Sequence, residues 1–460
     1  MERHMKHPQL ILFSSGNLYN LTKNNPHLHP HILRKVVNIC IETMKHYSTE
    51  YQIIKNILLT MCSDRILQDI TFDRYTCIRL VMDTLLTFTD LSVNRLALGI
   101  CAILAAKIPT VENALMGSQS VYLKRLLDLV QESYCVNTAN NEIILKLSLS
   151  ALWNFTDEAP KTCETFIKHN GIKLYVDTLI LFQDKSNVET KILGLLNNIA
   201  EVLHLRPHLI QPKLLHQLRK LIYSDQIDVS YFAIGILAQL ASDHHLDWTD
   251  VEDFDMDQML QQMLNQIQSW PNPSFEMVSY RSFEPFMSLL VNDRHESISL
   301  WALWAIHHVC TKNPNKYCRM LYDEKCITKI IAILTERLQR QYRIDCQQQQ
   351  RQLSRRLINL VTVADDEFQI LCKARTDWNC YDRQQWNLVI EKSTNDNQLP
   401  QLLECQAPLS GKKPSSPITA IIVDGCDCLL KCSLDNDPLI RLSSIILKSF
   451  HCFSPIPLNL

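Results

Sequence analysis

Glycine is nearly missing, with 8 in 460 residues. Tight hairpins and glycine-lined phosphate loops need residues that tolerate a left-handed backbone, so neither is the main design of this chain. Charge of one sign is missing too. The 46 Lys and Arg residues stand against 48 Asp and Glu, and no global field draws the chain to nucleic acid or to an anionic membrane. No apolar run reaches the roughly 18 residues a membrane-spanning helix needs. The apolar stretch near the start, Leu10 to Phe13, is too short for a secretory signal. The chain has no P-loop, GxSxG, HExxH or paired CxxC of a RING domain, so it shows no catalytic machinery and calls for no cofactor. The expected location is the cytoplasm, the nucleus or both.

Cysteine is plentiful, at 17 residues, but these are mostly single and set in apolar runs such as Leu98-Gly99-Ile100-Cys101-Ala102. That usage fits small buried hydrophobes in a reducing compartment. Metal binding has little support. His27, His29 and His31 interleave with prolines, and His244-His245 and His307-His308 are doublets, yet none has a cysteine or acid partner at zinc spacing. Cys426, Cys428 and Cys432 form a CxC-x3-C cluster without a second half.

Helical periodicity runs from His7 to Leu334 with few strand-like alternations. From Asn141 the pattern predicts a long helix, a break at Asp157-Glu158-Ala159-Pro160, a short helix over Lys161 to His169, a turn at Asn170-Gly171 and another helix. The plan repeats from Asn187, with a break near Arg206-Pro207 and a helix from Lys213 to Tyr223. Further blocks start near Ile227 and Glu296, and weaker copies lie around Gly16, Ile57 and Ala97. A period in the low forties with about three helices per unit predicts an all-α armadillo/HEAT-like solenoid, a right-handed superhelix in which each unit buries its face against its neighbours. Two inserts interrupt it, the acidic stretch Asp243 to Asp257 and the proline-bearing loop Pro271 to Ser279.

Within this array two stretches match, Ala151-Leu152-Trp153-Asn154-Phe155-Thr156-Asp157-Glu158 and Leu195-Leu196-Asn197-Asn198-Ile199-Ala200-Glu201. They superimpose Asn154 on Asn198 and Asp157 on Glu201, an amide followed three positions later by an acid. Residues three apart share a helix face, and stacking successive units brings the two pairs together as an acidic pocket. An amide there can donate to and accept from an extended peptide, and Trp153 offers a rigid wall. Two carboxylates sharing a site raise each other's pKa until a cation relieves the repulsion, and a peptide α-amino group is a suitable cation. A second reading stays open at this point, in which Asp157 and Glu201 cap the next short helix or form surface ion pairs.

The segments ALWNFTDEAPKTCETFIKHNGIKLYVD (Ala151 to Asp177), LGLLNNIAEVLHLRPHL (Leu193 to Leu209), YRSFEPFMSLL (Tyr280 to Leu290) and WALWAIHHVCTKNPNKYCRML (Trp301 to Leu321) resemble the armadillo-like region of the Zyg-eleven/Zer-one proteins. The resemblance is strong over Asn141 to Leu334 and weaker over His7 to Asn140. Members of that family are substrate receptors of cullin-2 RING ubiquitin ligases, and they recognise proteins carrying an N-terminal glycine degron. The resemblance therefore implies that Trp153, Asn154, Asp157, Asn198 and Glu201 hold the free amino group and first backbone unit of such a degron. It implies a non-catalytic receptor, with ubiquitin transfer performed by other subunits.

The family's N-terminal elongin/cullin box and leucine-rich repeats are not seen, since this sequence opens directly on armadillo-like residues. The expected organisation is an armadillo-like domain over 1–334, a divergent helical and Gln-rich extension over 335–407, a linker over 408–417 and a divergent tail over 418–460. The alternative function is a general armadillo scaffold or transport adaptor that binds internal peptide segments without a ligase link.

Overall fold

The computed structural model describes residues 1–333 and 336, apart from 24, 26, 135–138, 250, 252–253 and 291–294. The predicted extension, linker and tail, with the Cys426/Cys428/Cys432 cluster, lie outside the described residues except for Glu336. Among the described residues the chain is all-α, with eighteen α-helices and no strand. In order these are α1 (Pro8–Lys23), α2 (Pro30–His46), α3 (Tyr51–Met61), α4 (Asp64–Asp69), α5 (Arg74–Thr87), α6 (Leu91–Ala105), α7 (Thr110–Gly117), α8 (Ser120–Glu132), α9 (Ala139–Thr156), α10 (Pro160–Lys168), α11 (Gly171–Leu181), α12 (Ser186–Ala200), α13 (Pro212–Leu221), α14 (Ile227–Ala241), α15 (Met256–Ser269), α16 (Glu284–Leu290), α17 (Glu296–Lys312) and α18 (Pro314–Asp323). The chain divides into two compact units, Met1–Met259 and Leu260–Leu460.

The first unit is built in three columns. Every third helix packs on the next, α3 on α6, α6 on α9, α9 on α12 and α12 on α14. The second helices form their own file, α2 on α5, α5 on α8, α8 on α11 and α11 on α13. A file of first helices runs from α7 to α10 and on to a 3-10 turn, Leu203–Leu209, which stands where a first helix would be. Three helices per unit, each touching its counterpart in the next, is the armadillo plan.

The patterning explains which helix goes where. On α8 the buried residues Leu123, Leu126, Leu127 and Val130 recur at one-face spacing, which leaves the other face to solvent. By contrast α14 is buried at every residue from Val229 to Ala241, because a third helix is covered on several sides and needs an apolar surface all round. The breaks come where the sequence puts them. Glu158 takes a left-handed conformation (φ 51°) and Pro160 opens α10, while Asn170 (φ 58°) turns the chain into α11. Asp90 accepts from the N–H groups of Ser92 and Val93 to start α6.

In the second unit α17 packs on α16 and α18. The segment between α15 and α16 forms no helix. Its backbone is held by side chains, Met277 N–H donating to His308 Nε2 (3.1 Å), Tyr280 N–H to the Tyr317 hydroxyl (3.1 Å) and Phe283 N–H to Glu324 (2.7 Å). His308 is buried and stacks on Trp304, a core residue of α17. Among the described residues no group of three His, Cys, Asp or Glu is placed to hold a metal ion, and no helix is long and apolar enough to cross a membrane.

Candidate functional site

The five predicted residues lie on the C-terminal turns of α9 and α12 and just beyond them, and these two helices are neighbours in the third column. A helix end leaves its last carbonyls without intrahelical partners, and the two asparagines answer that need. Asn198 Nδ2 donates to the carbonyl of Trp153 (3.2 Å) and to Thr156 Oγ1 (3.1 Å). One unit earlier Asn154 Nδ2 donates to the carbonyl of Ala102 on α6 (2.8 Å). The carbonyl of Asn154 itself receives Asn113 Nδ2 from α7 (2.8 Å). Each ladder amide thus caps the preceding third helix. For Asn198 the expectation of a donor facing a ligand needs correcting, because both its Nδ2 hydrogens go to the stack, while Asn154 Nδ2 gives one to the stack. In both, Oδ1 is the atom that can meet a peptide N–H.

Trp153 and Asn154 point opposite ways along the stack. The half-buried indole runs forward, edge-on to Phe232 of α14 (5.4 Å between centroids, 88°). It also lies flat against α12 at Gly194, where an added Cβ would fall 2.3 Å from Trp153 Cε2. Only glycine lets the ring occupy that place.

The acids sit where a helix disfavours them. Asp157 follows the last residue of α9 and Glu201 is the C-cap of α12, so both add negative charge to ends that already carry the negative pole of the helix dipole. Both side chains are half-buried. Glu201 Oε1 accepts from Asn197 Nδ2 (2.8 Å). Burial, and after it the neighbouring Asp157, pushes the Glu201 carboxyl up to about 8, against the opposing effects of the Asn197 hydrogen bond and Arg206. The same field reaches Cys163, a buried thiol raised by burial and then by Glu201 and Asp157. Neither acid stands at the N-cap position of the helix or turn that follows it. The N-cap of α10 is Ala159 and that of the 3-10 turn is Val202, neither with a capping side chain.

Sequence reasoning missed three members of the site. Asn197 is 2% exposed and its Oδ1 has no hydrogen-bond partner. Gly194 was legible only as a rare glycine in mid-helix, a position that costs roughly 0.5–1 kcal/mol against alanine. Arg206 was read as part of a break, yet it is buried and donates from Nε to the carbonyl of Ala200 (2.7 Å). A separate recess of about 460 Å³, lined by Lys213, His216, Arg219 and Phe254 with other residues, includes none of the five predicted positions.

The family model described as Protein zer-1 homolog-like, C-terminal domain, matches residues 1–362. The Protein zer-1 homolog of Homo sapiens is 32% identical over 294 residues, covering 63% of this chain and 38% of that protein. Zyg eleven-related protein 1 of Caenorhabditis elegans is 26% identical over 328 residues, covering 70% of this chain and 36% of its own length. The chain therefore spans less than two-fifths of the length of these relatives. With the family model covering most of its length, this chain belongs to the zer-1 homolog-like family, matching its C-terminal domain.

Proposed function

We propose that this chain is the substrate-recognition module of a cullin-2 RING ubiquitin ligase receptor, and that the Asp157–Glu201 pocket holds the free α-ammonium of proteins that begin with glycine. One observation carries the reading, namely that two acids stand at the C-terminal ends of adjacent helices, at the negative pole of each helix dipole, with burial and the neighbouring Asp157 disfavouring the charge of Glu201. A protonated N-terminus brings that charge together with backbone N–H groups for the Oδ1 atoms of Asn154 and Asn198. Trp153 supplies the wall, and the family resemblance supplies glycine as first residue. Elongin and cullin-2 are the proposed ligase partners, and the chain itself performs no chemistry.

Calorimetry with matched peptides tests this. A peptide with free N-terminal glycine is expected to bind, its N-acetylated form to lose binding, and Asp157→Ala or Glu201→Ala to weaken the free peptide by about 2–5 kcal/mol, the usual cost of removing one partner from a buried charge pair. Equal affinity for the free and acetylated peptides would return the site to a general scaffold for internal segments.

A further inference from the structure

The place that follows the acid pair in the ladder is filled by the chain itself. Gly194 and Gly235 align α12 with α14, which puts Gln239 at the position of Asn154 and Asn198, and Ser242 at that of Asp157 and Glu201. At this third place the pattern of bonds changes. Gln239 is fully buried, and its Oε1 accepts from Arg206 Nη2 (2.7 Å). Arg206 Nη1 reaches Ser242 Oγ (3.4 Å) and lies 3.8 Å from Asp243. The same guanidinium donates from Nε to the carbonyl of Ala200, the last residue of α12. That carbonyl belongs to the peptide unit from which Glu201 hangs. Arg206 is 3% exposed, and it is delivered by a short turn with Pro207 beside it. A fixed cation thus stands next in line to the acid pocket.

We propose that Arg206 is the positioning residue of this pocket: held by Gln239 of α14, its buried guanidinium fixes the Ala200–Glu201 peptide unit and with it the place of the Glu201 carboxyl for an incoming ammonium. The proposal rests on reading the pocket as an ammonium site. The charged and polar groups around Glu201 are Asp157 and Glu158 from the end of α9, Cys163 from α10, Asn197 of α12 and Arg206, with Asp243 behind the last. Among them Arg206 opposes protonation of Glu201 by charge. Asn197 opposes it by a hydrogen bond.

The test follows the Glu201 carboxyl carbon by NMR titration in the peptide-free full chain, beside calorimetry with a peptide bearing free N-terminal glycine. R206Q is expected to move the Glu201 midpoint up. Affinity at pH 7 should then fall in step, by about tenfold for each unit the midpoint moves. R206K keeps the charge and loses the fork, so it should hold the Glu201 midpoint near its wild-type position while still weakening the peptide. R206A should regain affinity with added methylguanidinium. An unmoved Glu201 midpoint in R206Q overturns the role of Arg206. A moved midpoint with unchanged affinity keeps Arg206's hold on Glu201 and removes the ammonium reading of the pocket. Should R206Q not fold, R206K decides, because wild-type affinity in that variant overturns the positioning role.

Discussion

Glu201 is a destabilising residue with a function-shaped environment. Its carboxyl is pushed from an ordinary 4.5 to about 8, so between those values the folded chain keeps a proton that the unfolded chain releases. Stability therefore declines as pH rises through that window and levels off above about 8. Glu201→Gln removes the titrating group. Thermal melts are expected to show a shallower pH dependence for E201Q, which should be the more stable protein at about pH 8.5. A slope like that of the wild type would deny the burial of this carboxyl. Gly194 makes the opposite case, a weak helix former that is the stable choice. Gly194→Ala gains helix propensity of about 1 kcal/mol, but its methyl would stand 2.3 Å from the Trp153 ring. Overpacking of this kind costs about 1–3 kcal/mol, so denaturant melts should show a net loss and calorimetry a weaker peptide. Asn154, Asn198 and the two acids were legible in the sequence because polar residues recurring at one register in apolar helices contradict the pattern around them. Gly194 and Arg206 were not, since each acquires its meaning from a contact across helices, and a single sequence does not display such contacts; Asn197 bonds Glu201 four residues on, a spacing that the repeat of Asn154 and Asn198 overshadows.

At the scale of the element, the ladder asparagines have a stabilising role independent of any ligand. Asn198 satisfies the carbonyl of Trp153 at the end of α9 and joins Thr156 there. Asn198→Ala removes two hydrogen bonds from that end, leaving the Trp153 carbonyl to the Thr156 hydroxyl alone, and the expected loss is about 1 kcal/mol or more in urea unfolding. No measurable change would mean that water replaces the amide, and the ladder would then be a feature of recognition alone. The two helices bounded at both ends from sequence, Lys161 to His169 and Lys213 to Tyr223, lie within two residues of α10 and α13. Prolines at the starts of α10 and α13 and the left-handed Asn170 mark boundaries by their backbone geometry. The 3-10 turn Leu203–Leu209 was read as a break near Arg206-Pro207. Its stretch is too short and too irregular for a periodic signal, although in the fold it stands in a column of helices.

At the scale of the molecule, repeat packing makes stability a sum of terms between neighbours. The α9–α12 junction is one such term, and it joins two helices that each end in an acid at the negative pole of the dipole. A guest that brings a positive end there finishes both helices at once, doing from outside what a lysine in the last turn does from within. Recognition and folding then become one equilibrium, so peptide at a hundred times its Kd would add about 2.7 kcal/mol to the fold. The expected result is a rise in Tm with free-glycine peptide and none with its acetylated form, measured by differential scanning fluorimetry. A receptor built this way is sturdier when loaded than when empty, and its lifetime follows the supply of what it catches.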